Sequence, residues 1–509
     1  MLALAELKKF AAEGARILGS DSEIAQFELY CSSTEQLVAR LNYTSDIPSR
    51  GVEECKLMAA DGFAIRIVTR RNSHEVGHSF IAGDLSREAL REALARARRA
   101  AVIDPHFPGL PNDPRKPAAR AGGTGDLIRT GNTEVANAAW AIVDGAIGAF
   151  TKGVPIESER QGLVLGGDVT LTRDRFAIAG SNLSGIRTDQ TAYFSSSVTA
   201  IIKSPESRAT AIALGASRAD LRNKTTRLGH DAVTRAIAMR HGVRLAPGRY
   251  RIVFGPQPVA EMLCYMVIPS LTTGAFQASN SAYHGRFGSG VMDSRLTLFD
   301  QPAAAGRAIA RNITCEGLPA RRTMLIREGR AIGLLSNFYD AHRLASDEHR
   351  GGKLGPDAPA KPEFSAGNGY RLGEGGGRRF DSHPGTAATN VVMRTLGGVD
   401  EREMIRLVGD GIYVGRVWYT YPINGQRAGD FTCTITGDSY LIWDGKLAEP
   451  LAPNCLRINA NLGEIFSAPI AVGRRTMPAI VWGAPEMFYV PSIAADSIGL
   501  SAVAPESAG

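Results

Sequence analysis

Residues 251–302 read RIVFGPQPVAEMLCYMVIPSLTTGAFQASNSAYHGRFGSGVMDSRLTLFDQP and decide how the second half of the chain folds. A short β-branched run comes first, followed by a Gly-Pro break, an apolar segment, a tract of small residues and an alternating run. This order predicts a strand, a helix and a loop. The apolar segment holds no histidine, so the predicted helix lacks the ligands of a helical zinc site.

The composition is that of an ordinary globular protein. A chain of 509 residues with 44% hydrophobic and 21% charged residues can form two or more domains with sizeable cores. The net charge of +7 and the isoelectric point near 9.1 raise the question of nucleic-acid binding. Lysine and arginine are dispersed, however, and the densest patch, residues 91–99, has the pattern of a solvated helix face. The pattern therefore does not favour nucleic acid as a partner.

The spacing of the cysteines and the length of the apolar runs indicate the cellular compartment in which the protein is expected. Six cysteines lie far apart with no CxxC pair, which predicts reduced thiols rather than a disulfide framework or a zinc ribbon. Glu6 and Lys8 interrupt the apolar residues that a signal peptide would need. No apolar stretch approaches the roughly 18 residues of a membrane span. We expect a soluble, cytoplasmic protein without membrane contact.

Helical and antiparallel strand patterns alternate in the first half. Residues 4–18 have helical spacing, and residues 27–41 predict a strand, a turn rich in Ser and Thr, and a second strand. Further strands and helices follow up to a Pro-Gly break near residue 245. We predict an α+β fold with an N-terminal domain of antiparallel sheet and helices over residues 1–245. Residues 246–509 are predicted to form a mostly antiparallel β domain.

One segment of the second domain has few signs of regular structure. Residues 336–389 are rich in Gly, Pro and charge, which predicts one long loop. Such a loop is either functional or mobile. It is a candidate lining for a peptide chamber, together with the small-residue tract at 272–281. The alternative is a surface loop and a flexible turn, and the two interpretations have equal weight.

A literal HExxH motif stands at His74, Glu75 and His78. In zinc peptidases the two histidines bind Zn²⁺ and the glutamate acts as general base, which requires a helix. The polar residues before the motif and Gly77 within it predict a strand or turn instead. On a strand, side chains four apart stand about 13 Å from each other. Glu88 and Glu92 are unconvincing third ligands, so this metal site is the less favoured alternative.

An ordered series of segments resembles the TldD/PmbA family, whose PmbA members are also called TldE. The segments include GFAIRIV (62–68), SFIAGDLSREALREALARA (79–97), FGPQPVAEML (254–263), SNSAYHGRFGSGVMDSRLTLFDQP (279–302), CEGLPARRTMLIREGRAIGLL (315–335), AGDFTCTITGDSYLIWDGK (428–446) and NANLGEIFSAPIAVG (459–473). The resemblance implies a two-domain α+β fold and a cytoplasmic TldD–TldE heterodimer that degrades or trims unfolded or precursor peptides. In TldD members it implies zinc held by HExxxH on the helix after the Gly-Pro turn and by a C-terminal cysteine.

The chain departs from this metal motif at every ligand position. Cys264, Tyr265 and Pro269 stand where the family has His, Glu and His. No two of the nine histidines are five positions apart, and no cysteine follows Cys455. The resemblance therefore implies a zinc-free, TldE-like subunit without catalytic residues of its own, with zinc expected in a TldD-like partner.

Other candidate residues are weaker. Cys264 as a nucleophile has no histidine placed by sequence to activate it, and a small packing residue is the more usual role. Five residues around the long segment are a candidate polar cluster, although solvated loop residues are the favoured interpretation: Asp300, His342, Asp347, His349 and His383. The glycine run at 373–377 does not link a strand to a helix as a nucleotide cradle does.

Three functions from different classes remain open. The first is the zinc-free subunit of a heterodimeric peptidase. The second is a stand-alone zinc peptidase that uses the motif at 74–78. The third is a DNA-associated regulator, suggested by the isoelectric point and by the family's link to gyrase modulation. Metal content of the isolated chain distinguishes the first two, and salt-dependent DNA binding tests the third.

Overall fold

A computed structural model of the chain describes residues 1–45, 47, 50–115, 125–154, 162–203, 206–360 and 363–503. Its helices are α1 (Leu4–Gly19), α2 (Arg87–Arg99), α3 (Asn132–Gly153), α4 (Arg218–Ala238), α5 (Pro256–Met262), α6 (Ile268–Ser270), α7 (Thr273–Gln277), α8 (Phe338–Ala345), α9 (Arg350–Leu354), α10 (Glu401–Val408) and α11 (Leu462–Phe466). A π turn, Leu263–Val267, joins α5 to α6. Among these described helices, none has the length and apolar character needed to cross a membrane.

The strands of the first half are β1 (Ile24–Thr44), β2 (Gly51–Val52), β3 (Lys56–Thr69), β4 (Glu75–Ala82), β5 (Val102–Ile103), β6 (Leu163–Gly180), β7 (Arg187–Lys203) and β8 (Glu206–Gly215). They form one eight-stranded sheet of order β5-β4-β3-β1-β6-β7-β8, with β2 paired to β1. Every pairing in this sheet is antiparallel. Helices α1 and α2 pack on it through one apolar core, and α3 and α4 through another.

The two faces of this sheet have different neighbours. Successive side chains of a strand point to opposite faces. On β1, Leu29 and Cys31 join the core beneath α1 and α2. Tyr30, which lies between them, joins a core that contains Tyr370 and Phe380 from the second half. The first sheet is therefore covered by its own helices on one face and by the second half of the chain on the other.

The turn predicted within residues 27–41 is wrong. Strand β1 continues unbroken for 21 residues, and its register with β3 is continuous from Phe27 to Val38. Ser32 and Ser33, which suggested a turn, are fully buried. Because β3 and β6 flank β1, the main-chain polar groups of these serines are paired within the sheet.

The strands of the second half are β9 (Gly248–Phe254), β10 (Leu296–Asp300), β11 (Thr323–Arg327), β12 (Arg330–Ala331), β13 (Gly369–Tyr370), β14 (Gly385–Thr386), β15 (Asn390–Thr395), β16 (Gly411–Val414), β17 (Arg416–Pro422), β18 (Asp430–Gly437), β19 (Tyr440–Trp443), β20 (Lys446–Pro450), β21 (Leu456–Asn461), β22 (Ala471–Val472), β23 (Met477–Ala479), β24 (Met487–Val490) and β25 (Ile493–Ala502). A six-stranded sheet has the order β12-β11-β10-β15-β24-β23, and a nine-stranded sheet has the order β17-β18-β21-β25-β9-β16-β19-β20, with β22 beside β25. Most pairs are antiparallel, and β9–β16 and β15–β24 are parallel. The predicted α+β class is confirmed.

The segment predicted as one long loop, residues 336–389, is instead partly regular. It contains α8, α9 and the β13–β14 hairpin. Helix α8 begins where the Asn337 side chain accepts a hydrogen bond from the main-chain N–H of Asp340. The short length of these elements and their high glycine content conceal them from a search for periodicity.

Two buried arginines hold this segment against the first sheet. The guanidinium of Arg378 donates to Asp174 at 2.6 Å and to Asp189 at 2.7 Å. Arg371 donates to Glu28 at 2.8 Å. Both arginines are fully buried. Burial alone lowers the pKa of Arg378, but the charges of Asp174 and Asp189 outweigh it and hold the pKa well above the usual guanidinium value.

Candidate functional site

The helix that follows the Gly-Pro break is interrupted by the π turn. Pro256 begins α5, where its missing N–H costs nothing. Farther on, the N–H of Ile268 donates to the carbonyl of Leu263, five residues back. Such a turn is wider than an α-turn and brings positions five apart towards one side of the helix. Positions 264 and 269 are five apart, so the π turn suits a five-residue ligand spacing.

The three positions that the resemblance assigns to the zinc motif are the more accessible ones on this turn. Cys264 and Tyr265 are half-buried and Pro269 is exposed, while the neighbouring Met266 and Val267 are fully buried in the largest core. The helix continues only one residue beyond Pro269 and ends at Ser270. The local backbone therefore presents these three positions together on the more accessible side of the turn.

The residues at these positions do not fit zinc. Zinc requires deprotonated thiolate, neutral imidazole or carboxylate donors. Burial, reinforced by Glu486 and Glu261, raises the pKa of the Cys264 thiol, so it stays protonated at neutral pH. Burial also raises the pKa of Tyr265 to about 12, and its hydroxyl donates to the Trp482 carbonyl at 2.9 Å. No group of three or more His, Cys, Asp and Glu side chains suitable for a metal occurs in the described part of the chain.

Two buried carboxyl groups lie beside this turn. Cys264 Sγ lies 3.8 Å from Glu486 Oε1. Burial raises the pKa of Glu486 to about 7, and the nearby charge of Asp300 adds to this. Burial likewise raises the pKa of Glu261 to about 7. Groups with such pKa values can exchange protons near neutral pH. The neutral Cys264 thiol, by contrast, is a poor nucleophile.

A cavity of 760 Å³ lies between the first sheet and the second half. The first sheet contributes side chains from the face opposite its helices, and the second half contributes aromatic and acidic residues. Its lining includes Thr34, Gln36, Gly166, Thr170, Tyr193, Ser195, Ser197, Thr199, Gly373, Arg416, Trp418, Trp482 and Glu486. The rings of Trp418 and Trp482 lie 5.8 Å apart. Tyr265 and Cys264 contact Trp482 and Glu486, so the π turn stands directly behind the cavity wall.

Part of the predicted chamber lining contributes to this cavity. Gly373, Gly375 and Gly377 line it. Gly375 and Gly376 have φ values of 74° and 89°, and a Cβ at Gly376 would lie 2.6 Å from the Tyr193 hydroxyl. This run is a tight loop packed on the first sheet. The tract at 272–281 contains α7 and does not line this cavity.

The HEVGH motif lies on a strand and not on a helix. His74 precedes β4, which carries Glu75 and His78. The Nδ1 atom of His74 lies 3.1 Å from the carbonyl of Phe107. His78 stacks on His383, with 4.1 Å between ring centroids. Burial, with the charges of Arg371 and His383, lowers the pKa of His78 to about 3. The helical geometry that the zinc chemistry needs is not formed.

Substitution of His74 by alanine is expected to leave the zinc content of the purified chain unchanged. The reason is that β4 directs the motif residues along an extended strand rather than around one ion. Elemental analysis of the wild type and the variant checks this. Arg70→Ala, in the exposed turn before the motif, is the matched control. Stoichiometric zinc in the wild type that disappears in His74→Ala alone would contradict it.

The five residues of the candidate polar cluster do not come together. Asp300 is fully buried and accepts hydrogen bonds from Asn368, Thr389 and Asn390. Asp347 pairs with Lys353, and His342 stacks on Phe338. The interpretation as a solvated loop residue is wrong for Asp300. Its side chain is buried in the core and accepts hydrogen bonds from the main-chain N–H groups of Thr389 and Asn390, where β15 begins.

The arginine-rich patch on α2 is largely neutralised by acidic neighbours. Arg91 pairs with Glu88, and Arg96 pairs with Glu92. Arg98 contacts Asp21 at 2.6 Å. These pairs also occupy the two glutamates that were considered as zinc ligands. The patch therefore has the character of a solvated helix face.

Sequence patterns missed the residues that line the cavity from the second half. Arg416 and Trp418 lie on β17, where the alternation of GIYVGRVWYTYPI indicated a strand but no site. Trp482 and Glu486 lie in the connection before β24. No motif spacing marks these four residues, since the fold brings them together from separate segments.

Comparison with known protein families defines the class of this fold and site. The model of the PmbA/TldA metallopeptidase C-terminal domain matches residues 247–502, so the chain is metallopeptidase-like. The chain belongs to the PmbA/TldD family, and the resemblance predicted from its sequence is confirmed. A comparison with curated proteins gave no match.

Three solved structures share the fold over nearly the whole chain. TldE from Thermococcus kodakarensis matches with a TM-score of 0.76 and 15% identity, covering 98% of this chain and 100% of that one. A proposed modulator of DNA gyrase from Bacteroides thetaiotaomicron has a TM-score of 0.70 and 18% identity, covering 98% of each chain. Another from Thermotoga maritima has a TM-score of 0.71 and 14% identity, covering 97% and 99%. At these identities the likeness concerns the fold.

Proposed function

We propose that this chain is the zinc-free, TldE-like subunit of a cytoplasmic heterodimer whose TldD-like partner holds the zinc. The observation that carries the proposal is the chemistry at positions 264, 265 and 269. A protonated thiol, a phenol and a proline stand where the family motif has two histidines and a glutamate. The π turn lies behind the cavity wall, and its side chains serve packing and hydrogen bonding.

The substrate in this proposal is an unfolded or precursor peptide that enters the 760 Å³ cavity. Hydroxyl groups of Ser195, Ser197 and Thr199 line one wall, and the Trp418 and Trp482 rings line another. A hydroxyl group can donate a hydrogen bond to a main-chain carbonyl or accept one from a main-chain N–H, whatever the peptide's sequence. Tryptophan rings can contact many types of side chain. Such walls favour binding that tolerates many sequences.

Strand β17 offers a further surface for an extended peptide. It is an end strand of the nine-stranded sheet and carries Trp418 at the cavity and the exposed Tyr419 and Tyr421. An end strand can pair with an extended peptide by β-augmentation along its outer side. The main-chain N–H and C=O of Val417 are already bonded to the Gln257 side chain, so the peptide would add to β17 beyond Val417. This supports peptide capture by the present chain next to the partner's metal site.

The test is reconstitution with a TldD-like chain that carries HExxxH and a C-terminal cysteine. We expect the isolated chain to contain no stoichiometric zinc and to cleave no unfolded peptide. Co-purification with the partner is expected to yield a complex with about one zinc per pair that degrades an unfolded peptide. Elemental analysis, size-exclusion chromatography with light scattering and a peptide-cleavage assay provide the measurements.

Two controls separate the roles of the chains. Substitution of the partner's HExxxH histidines is expected to abolish both zinc and cleavage, while Cys264→Ala and Tyr265→Phe in the present chain are expected to leave both intact. Zinc-dependent cleavage by the isolated chain would overturn the proposal. So would a failure to associate with any TldD-like partner.

A further inference from the structure

A second cavity of 530 Å³ adjoins the first. The two share Thr199, Arg416 and Trp418 in their linings, so Arg416 stands where they meet. The second cavity also has Arg208, Arg457 and Asp438 in its lining. Arg208 is paired with Glu206, so Arg416 and Arg457 against Asp438 leave this cavity with an excess of positive charge. An excess of this kind favours an anionic ligand.

The side chain of Arg416 has no hydrogen-bond or ion-pair partner among the described residues. Burial lowers the pKa of Arg416, and Asp438 and Glu261 raise it. A guanidinium nevertheless remains protonated at neutral pH and carries five N–H donors. Leaving such a group mostly buried and unpaired costs free energy. An arginine in this position is therefore suited to receive an acceptor from outside the chain.

Other polar groups around the second cavity also lack hydrogen-bond partners. The Thr436 hydroxyl and Arg208 Nε are buried without a hydrogen-bond partner. Arg457 makes no side-chain hydrogen bond or ion pair in the described part of the chain. Asp438, the one acidic group of the lining, already accepts from the main-chain N–H of Thr210 at 3.0 Å. The cavity thus has unused donors from several strands and few free acceptors.

We propose that the second cavity binds a carboxylate group of the peptide, with Arg416 as the principal contact and Arg457 and Thr436 as supporting donors. This inference rests on the proposed peptide-binding function and names the chemistry that orients the peptide. Arginine suits this role because its planar fork can bind both oxygens of a carboxylate. A peptide in the first cavity would pass Trp418 and place its carboxylate beyond Arg416.

The carboxylate can come from the peptide's C-terminus or from an Asp or Glu side chain. Four versions of one short, unstructured peptide distinguish these sources, each labelled at the N-terminus with an uncharged fluorophore. The first has a free C-terminus and an internal Glu, the second a C-terminal amide, the third Gln in place of Glu, and the fourth both changes. Fluorescence anisotropy with the full-length chain measures the dissociation constants.

We expect the peptide without any carboxylate to bind about tenfold or more weakly than the first version, as for the loss of a charge-assisted hydrogen bond. The single change that causes the loss identifies the source. In Arg416→Gln all four versions are expected to bind alike, and Arg416→Lys is expected to retain part of the preference. Arg402→Gln, an exposed arginine of α10 outside both cavities, is the matched control and should keep the full preference.

The unfolding temperature of Arg416→Gln distinguishes a role of Arg416 in peptide binding from a role in the fold. Because Arg416 makes no side-chain hydrogen bond or close ion pair among the described residues, and burial outweighs its attraction to Asp438 and Glu261, Arg416→Gln should unfold at the same temperature as the wild type or slightly higher. A large loss of stability would show that Arg416 serves the fold and would overturn the assignment. Equal binding of all four peptides by the wild type would also overturn it, while leaving the proposed peptide-binding function intact. Absence of any peptide binding, with or without the partner, would instead refute the proposed function.

Nucleic acid is tested in the same assay. A short single-stranded oligonucleotide should not displace the peptide at concentrations near its dissociation constant. Displacement that is lost in Arg416→Gln and retained in Arg402→Gln would assign the cavity to phosphate groups and overturn the carboxylate proposal.

Discussion

Replacement of Arg378 by methionine is expected to lower the free energy of unfolding by about 3–5 kcal/mol. The guanidinium of Arg378 is fully buried between Asp174 and Asp189. Removing it leaves two buried carboxylates without their cation, and the cost of an uncompensated buried charge is large. Urea unfolding followed by tryptophan fluorescence measures the loss.

The neighbouring residue provides a matched control. Arg379 pairs with Asp381, but the arginine side chain is 40% exposed, so Arg379→Met is expected to cost less than about 1 kcal/mol. Adding Asp174→Asn and Asp189→Asn to Arg378→Met is expected to recover part of the stability, since no unpaired charge then remains. Equal effects of Arg378→Met and Arg379→Met would contradict a central role for the buried pair.

Replacement of Glu486 by glutamine is expected to change how stability depends on pH. The folded-state pKa of Glu486 is about 7, above that of an unfolded glutamate. The folded state therefore binds this proton more tightly, and the resulting stability is present at low pH and is lost as pH rises through about 7. Glutamine has no proton to lose. Relative to the wild type, Glu486→Gln should gain about 2–3 kcal/mol between about pH 5 and about pH 8.

The measurement is urea unfolding of both proteins across this pH range. Glu449→Gln, at an exposed position of β20, is the control and should follow the wild-type pH dependence. A constant stability difference between Glu486→Gln and the wild type at all pH values would show that Glu486 keeps an ordinary pKa. A Glu486 side chain with an ordinary pKa would not exchange protons with groups in the cavity near neutral pH.

Hydrophobic periodicity along the chain predicted the helices and strands in which apolar side chains recur with a clear period. Helix α1 and the strand following residue 24 carry such periods, and both formed. The resemblance to the family led to positions 264, 265 and 269, where this chain carries Cys, Tyr and Pro. Local chemistry was sufficient to show that HEVGH at 74–78 lacks a helical setting, because the polar residues before it and Gly77 within it favour a strand or turn.

Only the tertiary structure revealed that β1 runs straight through its serines and that residues 336–389 are packed against the first sheet. In both cases the deciding contacts join distant segments: β1 lies between β3 and β6, and Arg378 meets Asp174 and Asp189. The cavities have the same origin, since Arg416, Trp482 and Glu486 carry no motif and come together only when distant segments pack against each other. The sequence by itself indicated the family and the α+β class. The buried charges and the walls of the cavities depend on long-range packing, which no local pattern specifies.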